Sequence, residues 1–279
     1  MDLYIVANKD EIARLAYQVM LSAINEKENV TLGLATGSSP EGIYELFRQN
    51  KPDVSHVTTI NLDEYVGLEA DHVQSYRHFM NEQLFNHLDF KKTYVPNGTS
   101  EDACIEYDNI LSENPIDLQL LGIGTNGHIA FNEPGSSFDN TTSIVNLTDE
   151  TIEANSRFFE KREDVPTTAV TMGIKSIMKA KEILLIASGK NKAAAIKAML
   201  EEDMTEDLPA SVLQSHPNVI IIIDEDAASM INPELLVVEH EHGCGCGGHH
   251  HHDDEEESGC CGGHHHHEGH GGCCGGCSH

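Results

Sequence analysis

Apolar residues in the first 238 positions occur in two alternating patterns, short continuous runs and runs with helical spacing. Continuous runs such as 219–224 predict strands, and apolar positions three or four residues apart predict helices such as 9–26. The predicted strands are 3–7, 30–35, 57–62, 116–123, 142–147, 168–173, 182–188 and 219–224, and the predicted helices are 9–26, 40–49, 74–88, 101–113, 148–159 and 190–202. This alternation indicates an α/β protein with a mostly parallel sheet covered by helices.

Composition divides the chain after residue 238. Residues 239–279 hold 12 of the 18 His, 7 of the 8 Cys and 12 of the 23 Gly, with eight acidic residues and no Lys or Arg. Few apolar side chains are available there to offset the entropy of ordering. We therefore predict a single α/β domain over 1–238, followed by a disordered tail, natural or artificial, that binds metal incidentally through His and thiolate groups.

Charge and cysteine content restrict the partners. The chain carries 17 basic and 46 acidic residues, a formal charge of -29, which argues against nucleic acid and anionic membrane surfaces. No apolar run approaches the roughly 18 residues of a membrane span, and residues 1–10 do not resemble a secretion signal. Before the tail, Cys104 is the single cysteine, as is typical of a reducing compartment. We expect a cytoplasmic protein without a membrane or nucleic-acid partner.

Residues 36–40 connect a predicted strand to a predicted helix and read Thr-Gly-Ser-Ser-Pro. Backbone N–H groups at the start of a helix, together with hydroxyl groups, favour an anion such as phosphate. No Gly-Lys-Ser/Thr follows, so this is not a Walker loop. An ordinary capped turn is the alternative.

Two adjacent acids, Asp63 and Glu64, follow the predicted strand 57–62. Neighbours on a strand point to opposite sides, so we expect at most one of them to face a cleft unless the backbone turns. A partly buried carboxylate has a raised pKa and suits a general base. The alternative is a pair of solvated surface acids.

A glycine-rich loop follows the predicted strand 116–123. Residues 122–127 match GxGxxG, but a dinucleotide fingerprint must open a helix, and the Pro-Gly pair at 134–135 prevents a long one. We therefore reject nicotinamide binding. The loop presents Asn126, His128 and Glu133. A histidine beside an amide and a carboxylate suits proton transfer, although a structural histidine is the alternative.

Two basic residues late in the domain suit a phosphate group. Arg157 lies at the end of a predicted helix, and Lys192 lies where a strand gives way to a helix. A guanidinium fork and an ammonium group both bind phosphate, and simple surface solvation is the alternative.

Together these segments resemble the glucosamine-6-phosphate deaminase family over nearly all of residues 1–238. The resemblance is carried by LDEYVGL (62–68), GIGTNGHIAFNEPGS (122–136), ANSRFF (154–159) and LQSHPN (213–218), with LGLATGSSP (32–40) similar to the family's sugar-phosphate loop. It implies a doubly wound sheet with helices on both faces. It also implies conversion of D-glucosamine 6-phosphate and water to D-fructose 6-phosphate and ammonia, a step of amino-sugar catabolism and N-acetylglucosamine utilisation.

The resemblance also implies roles for individual residues. Asp63 matches the enolisation base, and His128 matches the ring-opening acid–base, with Asn126 and Glu133 in supporting positions. The implied phosphate-binding residues are Thr36, Gly37, Ser38, Ser39, Arg157 and Lys192. Some members carry Asp at position 126, whereas Asn can orient His128 without stabilising an imidazolium as an anion would. Glu133 is then the main charge partner.

This chemistry requires no metal, pyridoxal phosphate or nicotinamide, so we expect no cofactor and a small sugar phosphate as the ligand. The tail does not resemble the C-terminal segment of hexameric, allosterically activated members, so activation by N-acetylglucosamine 6-phosphate is not expected. Three alternatives stay open at this point: a 6-phosphogluconolactonase-like hydrolase of the same fold, a non-catalytic sugar-phosphate sensor, and a metal-storage protein built on the tail. The oligomeric state is open.

Overall fold

A seven-stranded parallel sheet forms the centre of the computed structural model, which describes residues 1–156 and 159–236. The strands are β1 (Asp2–Val6), β2 (Val30–Leu34), β3 (Val57–Asn61), β4 (Asp63–Tyr65), β5 (Lys92–Tyr94), β6 (Leu118–Gly122), β7 (Ser143–Asn146), β8 (Thr168–Thr171), β9 (Glu182–Ala187) and β10 (Val219–Asp224). The central sheet has the order β1-β10-β9-β6-β2-β3-β5, and all its paired neighbours run parallel.

Helices connect the strands and cover the sheet. They are α1 (Lys9–Asn25), α2 (Glu41–Asn50), α3 (Tyr76–Met80), α4 (Ala103–Glu113), α5 (Asp149–Ser156), α6 (Ile174–Ile177), α7 (Ala193–Glu201) and α8 (Glu225–Ala228). A π-helical turn, Asn81–Phe85, continues α3, and 3-10 turns span Arg162–Asp164, Lys190–Lys192, Pro209–Ser215 and Pro233–Leu236. None of these helices combines the length and apolar character that a membrane span requires.

The main core lies between the parallel sheet and its helices. The central strands β6, β9 and β10 contribute side chains such as Leu120, Leu184 and Ile222, each with no exposed surface. Burial on both faces explains why these strands are nearly continuous apolar runs, whereas α1 buries only one stripe, which includes Ala16 and Ile24.

A second, three-stranded antiparallel sheet has the order β4-β8-β7. It covers a smaller core that contains Tyr65, Phe131 and Ile152. Leu62 alone separates β3 from β4, so the chain passes directly from the parallel sheet into the antiparallel one.

The predicted doubly wound, mostly parallel fold is confirmed, and each predicted strand exists with small shifts at its ends. Some details differ. The predicted helix 74–88 begins at Tyr76 and changes to a π turn at Asn81, and the helix predicted at 190–202 begins with a 3-10 turn. The short elements β4, β5, α6 and α8 had no distinct apolar period, because each has six residues or fewer. The predictions for Arg157 and for the tail, 239–279, lie outside the described residues.

The strand order creates a crevice between two neighbouring strands, β2 and β6. After β2 the chain moves outward to β3 and β5, and after β6 it moves outward in the other direction to β9 and β10. Loops that leave the carboxyl ends of such neighbours diverge, and ligands of open α/β sheets bind there.

Candidate active site

A pocket of about 450 Å³ opens at the carboxyl ends of β2, β3, β6 and β9, where this crevice was expected. Its lining combines two carboxylates, an imidazole, two lysines and several hydroxyl and amide groups. The polar lining residues include Lys9, Thr36, Ser38, Ser39, Asp63, Tyr76, Thr125, Asn126, His128, Glu150, Thr151, Asn155, Ser188, Asn191 and Lys192. The lining also includes Gly37, so all four residues of the predicted phosphate loop contribute.

Asp63 reaches the pocket because the backbone changes sheets just before it. The N–H of Leu62 donates to the carbonyl of Leu34 in the parallel sheet, at 3.2 Å, and the Leu62 carbonyl accepts from the N–H of Met172, at 2.7 Å. Asp63 then begins β4 with 6% of its surface exposed. Burial raises the pKa of Asp63, and the neighbouring Glu64 carboxylate adds to the effect, so that the pKa reaches about 8.

Glu64 points away from the pocket and holds the start of α3. Its carboxylate accepts the N–H groups of Tyr65, Tyr76 and Arg77, each at 2.9 Å. Burial raises the pKa of Glu64, and these N–H groups partly offset the rise. The alternative of two solvated acids is therefore wrong, since Asp63 is 6% exposed and Glu64 is 2% exposed. Asp63 lines the pocket, whereas Glu64 binds the first N–H groups of α3.

His128 and Glu133 lie side by side in the loop after β6. Nδ1 of His128 lies 3.3 Å from Oε2 of Glu133, an ion-pair distance for a protonated ring. Asn126 connects to both residues, because its amide Nδ2 donates to Oε2 of Glu133 at 2.7 Å and its Oδ1 accepts the N–H of His128 at 3.2 Å. The structure thus brings together the three residues that the sequence singled out in this loop.

The Glu133 carboxylate is held ionised by its hydrogen bonds. The hydroxyl of Thr148 donates to Oε1 at 3.2 Å, and the hydroxyl of Thr151 makes a short hydrogen bond to the same oxygen. Burial by itself raises the pKa of Glu133, but contact with His128, the charge of that ring, and the bonds from Thr151 and Asn126 outweigh it and lower the pKa to about 2. A permanent negative charge therefore faces the imidazole.

The loop after β2 turns at Gly37, whose φ of +83° lies in the left-handed region that favours glycine. The ammonium group of Lys9, at the start of α1, donates to the carbonyl of Ser38 at 2.7 Å. Because both Ser38 and Ser39 line the pocket, this loop presents hydroxyl and backbone groups to any anion bound there.

Lys192 enters the pocket from the turn Lys190–Lys192. Asp224, at the end of β10, anchors that turn by accepting from the N–H of Gly189 at 3.0 Å and from the hydroxyl of Ser188. The pocket therefore gathers Asp63, His128, Lys192 and the loop 36–39. Arg157, the remaining predicted phosphate ligand, falls outside the described residues, and its role stays a prediction.

The glycine-rich loop after β6 makes room for the ring of His128 and does not have the form of a dinucleotide-binding loop. A Cβ atom at Gly124 would overlap the ring of His128, so glycine is required for the ring to pack there. The chain then continues irregularly to β7 instead of opening a helix. Ala130, which also lines the pocket, has a φ of +52°, a left-handed conformation that costs a residue with a Cβ about 1–2 kcal/mol. Such strain often accompanies functional loops.

Aromatic rings form one wall of the pocket. Tyr76 stacks on Phe131 with ring centroids 6.0 Å apart and an interplanar angle of 13°, and Tyr65 lies behind them with its ring centroid 4.8 Å from that of Tyr76. This wall lies against the buried Asp63, and its apolar surface contributes to the low polarity that raises the pKa of Asp63.

Several pocket residues were not identified from the sequence. Tyr76 and Thr151 lie in segments predicted only as helices, and nothing in the helical period shows which turn faces a site. Lys9 did carry a signal, because a lysine in the first turn of a helix is opposed by the helix dipole and needs another reason to be there.

Residues 7–221 match the family described as glucosamine-6-phosphate isomerases/6-phosphogluconolactonase. The chain belongs to this family. The resemblance inferred from the sequence is thereby confirmed.

Two relatives with more than half of their aligned residues identical to this chain are glucosamine-6-phosphate deaminases. A glucosamine-6-phosphate deaminase of Bacillus cereus (strain B4264) is 54% identical over 243 residues, which cover 86% of this chain and 92% of the relative. The deaminase of Bacillus anthracis (strain CDC 684 / NRRL 3495) is 55% identical over the same share of both chains.

Solved structures of the family share the fold. A monomeric glucosamine-6-phosphate deaminase superposes with a TM-score of 0.80 at 41% identity, over 82% of this chain and all of that one. The 6-phosphogluconolactonase of Leishmania guyanensis has a TM-score of 0.67 at 22% identity, over 83% and 98% of the two chains. At that identity the likeness concerns the fold alone.

Proposed function

We propose that this chain is a glucosamine-6-phosphate deaminase, which converts D-glucosamine 6-phosphate and water to D-fructose 6-phosphate and ammonia. The observation that carries the proposal is a single pocket that holds a buried carboxylate of raised pKa, Asp63, and a histidine paired with a permanent anion, His128 with Glu133. Two proton-transfer groups of different character are what an aldose–ketose isomerisation needs.

The phosphate group of the substrate is held at the end of the pocket formed by the loop 36–39 and Lys192. Hydroxyl groups, backbone N–H groups and an ammonium group converge there, and each is a phosphate ligand by its chemistry. Arg157 is proposed as a further ligand, by its match to the family motif. Binding at this end positions C1 and C2 of the sugar between Asp63 and His128.

His128 opens the sugar ring. Its imidazole moves a proton from the anomeric hydroxyl to the ring oxygen, which breaks the ring C–O bond and leaves the open-chain aldehyde. The imidazolium that forms transiently is stabilised by the Glu133 carboxylate, whose Oε2 lies 3.3 Å from Nδ1 of His128. Asn126 contributes by orienting both groups through its amide, as its two hydrogen bonds support.

Asp63 then transfers the proton that isomerises the substrate. The carboxylate removes the proton from C2, next to the aldehyde, and returns it to C1, while a second proton passes from the amino nitrogen to O1. The product is fructosimine 6-phosphate. Water adds to the imine carbon, ammonia leaves, and fructose 6-phosphate remains. A base with a pKa of about 8 is strong enough to abstract this proton and still ionises at mildly alkaline pH.

The reaction belongs to amino-sugar catabolism, and we place the enzyme in N-acetylglucosamine utilisation and in the cytoplasm. No metal or organic cofactor takes part in the proposed steps. Residues 239–279 take no part either, so the domain over 1–238 is proposed to contain the whole site.

An assay of two substrates tests the proposal against the lactonase alternative. The full chain is given glucosamine 6-phosphate, with coupled detection of ammonia and fructose 6-phosphate, and in parallel 6-phosphogluconolactone, with and without a chelator. We expect ammonia and fructose 6-phosphate in equal amounts, unaffected by the chelator. Lactone hydrolysis without ammonia release would overturn the proposal.

A further inference from the structure

Lys9 joins the first helix to the pocket, although no catalytic step uses it. It is the first residue of α1, and its Nζ lies 2.7 Å from the carbonyl oxygen of Ser38. It lines the pocket together with Thr36 and Lys192. The contact spans 29 residues of sequence and ties the amino end of the chain to the loop after β2.

The backbone at Lys9 is fixed by the cap of α1. Oδ1 of Asn8 accepts the N–H of Glu11 at 3.1 Å, and Oε2 of Glu11 accepts the N–H of Ala7 at 2.9 Å. This reciprocal arrangement holds the first turn of the helix in one geometry. The Lys9 side chain therefore extends from a rigid point toward the loop.

We propose that Lys9 is a further phosphate-binding residue of the site. An ammonium group has three N–H donors, and the carbonyl of Ser38 takes one of them. That carbonyl oxygen carries partial negative charge beside the proposed phosphate position, and Lys9 compensates it. The other donors of Lys9 then bind a phosphate oxygen in the pocket that Lys9 lines together with the loop 36–39 and Lys192.

The negative charge of the chain makes a cation at the pocket important for phosphate binding. The chain has a formal charge of -29, and two acidic residues, Asp63 and Glu150, line the same pocket. A phosphate dianion must enter against that field, so each cation at the pocket adds to its binding. The proposal rests on the proposed function only for the identity of the sugar, because inorganic phosphate would use the same contact.

Three variants separate the contributions of Lys9. Lys9→Met removes the charge and keeps the aliphatic stem, and Lys9→Arg keeps a cation. Lys190→Met is the matched control, because Lys190 lies near the pocket without lining it and is 78% exposed in its ion pair with Asp226. All three remove or exchange one cation, so the overall change of charge is the same for the two Met variants.

The measurements are KM and kcat for glucosamine 6-phosphate, and the Kd for inorganic phosphate by calorimetry. We expect Lys9→Met to raise both KM and Kd by about tenfold and to change kcat less than about twofold. The reason is that the lost charge-assisted hydrogen bond is made equally in the ground state and in the transition state. We expect Lys9→Arg to keep most of the affinity and Lys190→Met to keep all of it. Turnover of glucosamine, which has no phosphate, should be equal in Lys9→Met and the parent.

Several outcomes would overturn the proposal. It fails if Lys9→Met leaves the phosphate Kd unchanged, or if it weakens glucosamine and glucosamine 6-phosphate equally, which would indicate a structural role for the contact with Ser38. Absence of deaminase turnover in the parent would defeat the proposed function, while the calorimetric titration would still decide the role of Lys9. A parent chain that binds neither inorganic phosphate nor glucosamine 6-phosphate would defeat both.

Discussion

Asp63 and Thr171 face each other across the antiparallel pair β4–β8, and the Thr171 side chain also holds the loop that carries His128. The two residues are register partners, and Oγ1 of Thr171 accepts the N–H of Phe131 at 3.1 Å. Thr171 has no exposed surface. One buried residue therefore fixes the strand of the proposed base and the loop of the proposed acid–base relative to each other.

Replacing Thr171 with Val should disturb this alignment without changing the shape of the core. Valine cannot accept the Phe131 N–H, and a buried donor without a partner costs about 1–3 kcal/mol. We expect kcat to fall about tenfold or more, with a smaller change in KM, since misalignment acts mainly on the proton transfers. Thr171→Ser, which keeps the hydroxyl, is the control and should retain activity. Equal kinetics for the Val and Ser variants would contradict this role.

The pH dependence of activity should report the raised pKa of Asp63. The proposed base acts only when ionised, so kcat/KM for the parent should rise with pH up to about 8 and level off above it. Because the charge of Glu64 contributes to the raised pKa, Glu64→Gln should move this rise to lower pH. A rate profile that is already flat below neutral pH would contradict the assignment of Asp63 as the base.

The same raised pKa should make Asp63 destabilising at neutral and alkaline pH. The unfolded chain releases the Asp63 proton near pH 3.8, whereas the folded chain keeps it up to about 8, so the free energy of unfolding falls as pH rises between these values. Asp63→Asn removes this pH-dependent loss of unfolding free energy, because the amide does not ionise. Its stability advantage over the parent should grow across that window, by at most about 1.4 kcal/mol per pKa unit. Urea denaturation at about pH 5 and about pH 9 measures the difference, and an advantage that is constant with pH would exclude the shift.

Glu133→Gln should impair ring opening more than binding. The substitution removes the anion that lies 3.3 Å from Nδ1 of His128, while an amide oxygen can still accept from Thr148 and Thr151. We expect kcat to fall by about ten- to a hundredfold, because the imidazolium loses its charge partner. A sugar phosphate locked in the open-chain form would bypass the step, so it should be processed at nearly the parent rate. A variant equally slow on both substrates would contradict the role of Glu133 in ring opening.

Removal of residues 239–279 should leave the reaction intact. All the described pocket residues lie before residue 193, and the tail carries most of the histidine and cysteine of the chain. We expect the truncated chain to keep the kcat and KM of the full chain and to lose most of its zinc binding, measured by dialysis against a known zinc concentration. Loss of deaminase activity on truncation would show that the tail supports the site.

Much of the fold was predictable because its main signals are local. Continuous apolar strands such as β10, and the apolar stripe of α1, follow from burial on both faces and on one face, respectively. The assignment of β7 and β8 to a separate sheet was not predictable, since it depends on pairing with the short β4 rather than on either segment alone.

Site residues were predictable where a titratable side chain in a recognisable motif follows a predicted strand, and not elsewhere. Asp63 lies two residues after the end of β3, and His128 lies in the loop that follows β6, so motif and position pointed to them together. The contributions of Thr151 and Thr171 come from contacts with residues 18 and 40 positions away, which the sequence pattern does not reveal. Lys9 lay in a helix whose period explained the apolar residues but not its charge.

The most direct test of the central claim is the turnover of Asp63→Asn compared with its binding of the sugar phosphate. The variant keeps the size and burial of the side chain but has no base. We expect it to bind glucosamine 6-phosphate with nearly the parent Kd, by calorimetry, and to release ammonia at least about a thousandfold more slowly, as for loss of an essential proton-transfer group. Ammonia release at close to the parent rate would contradict the claim that Asp63 moves the C2 proton.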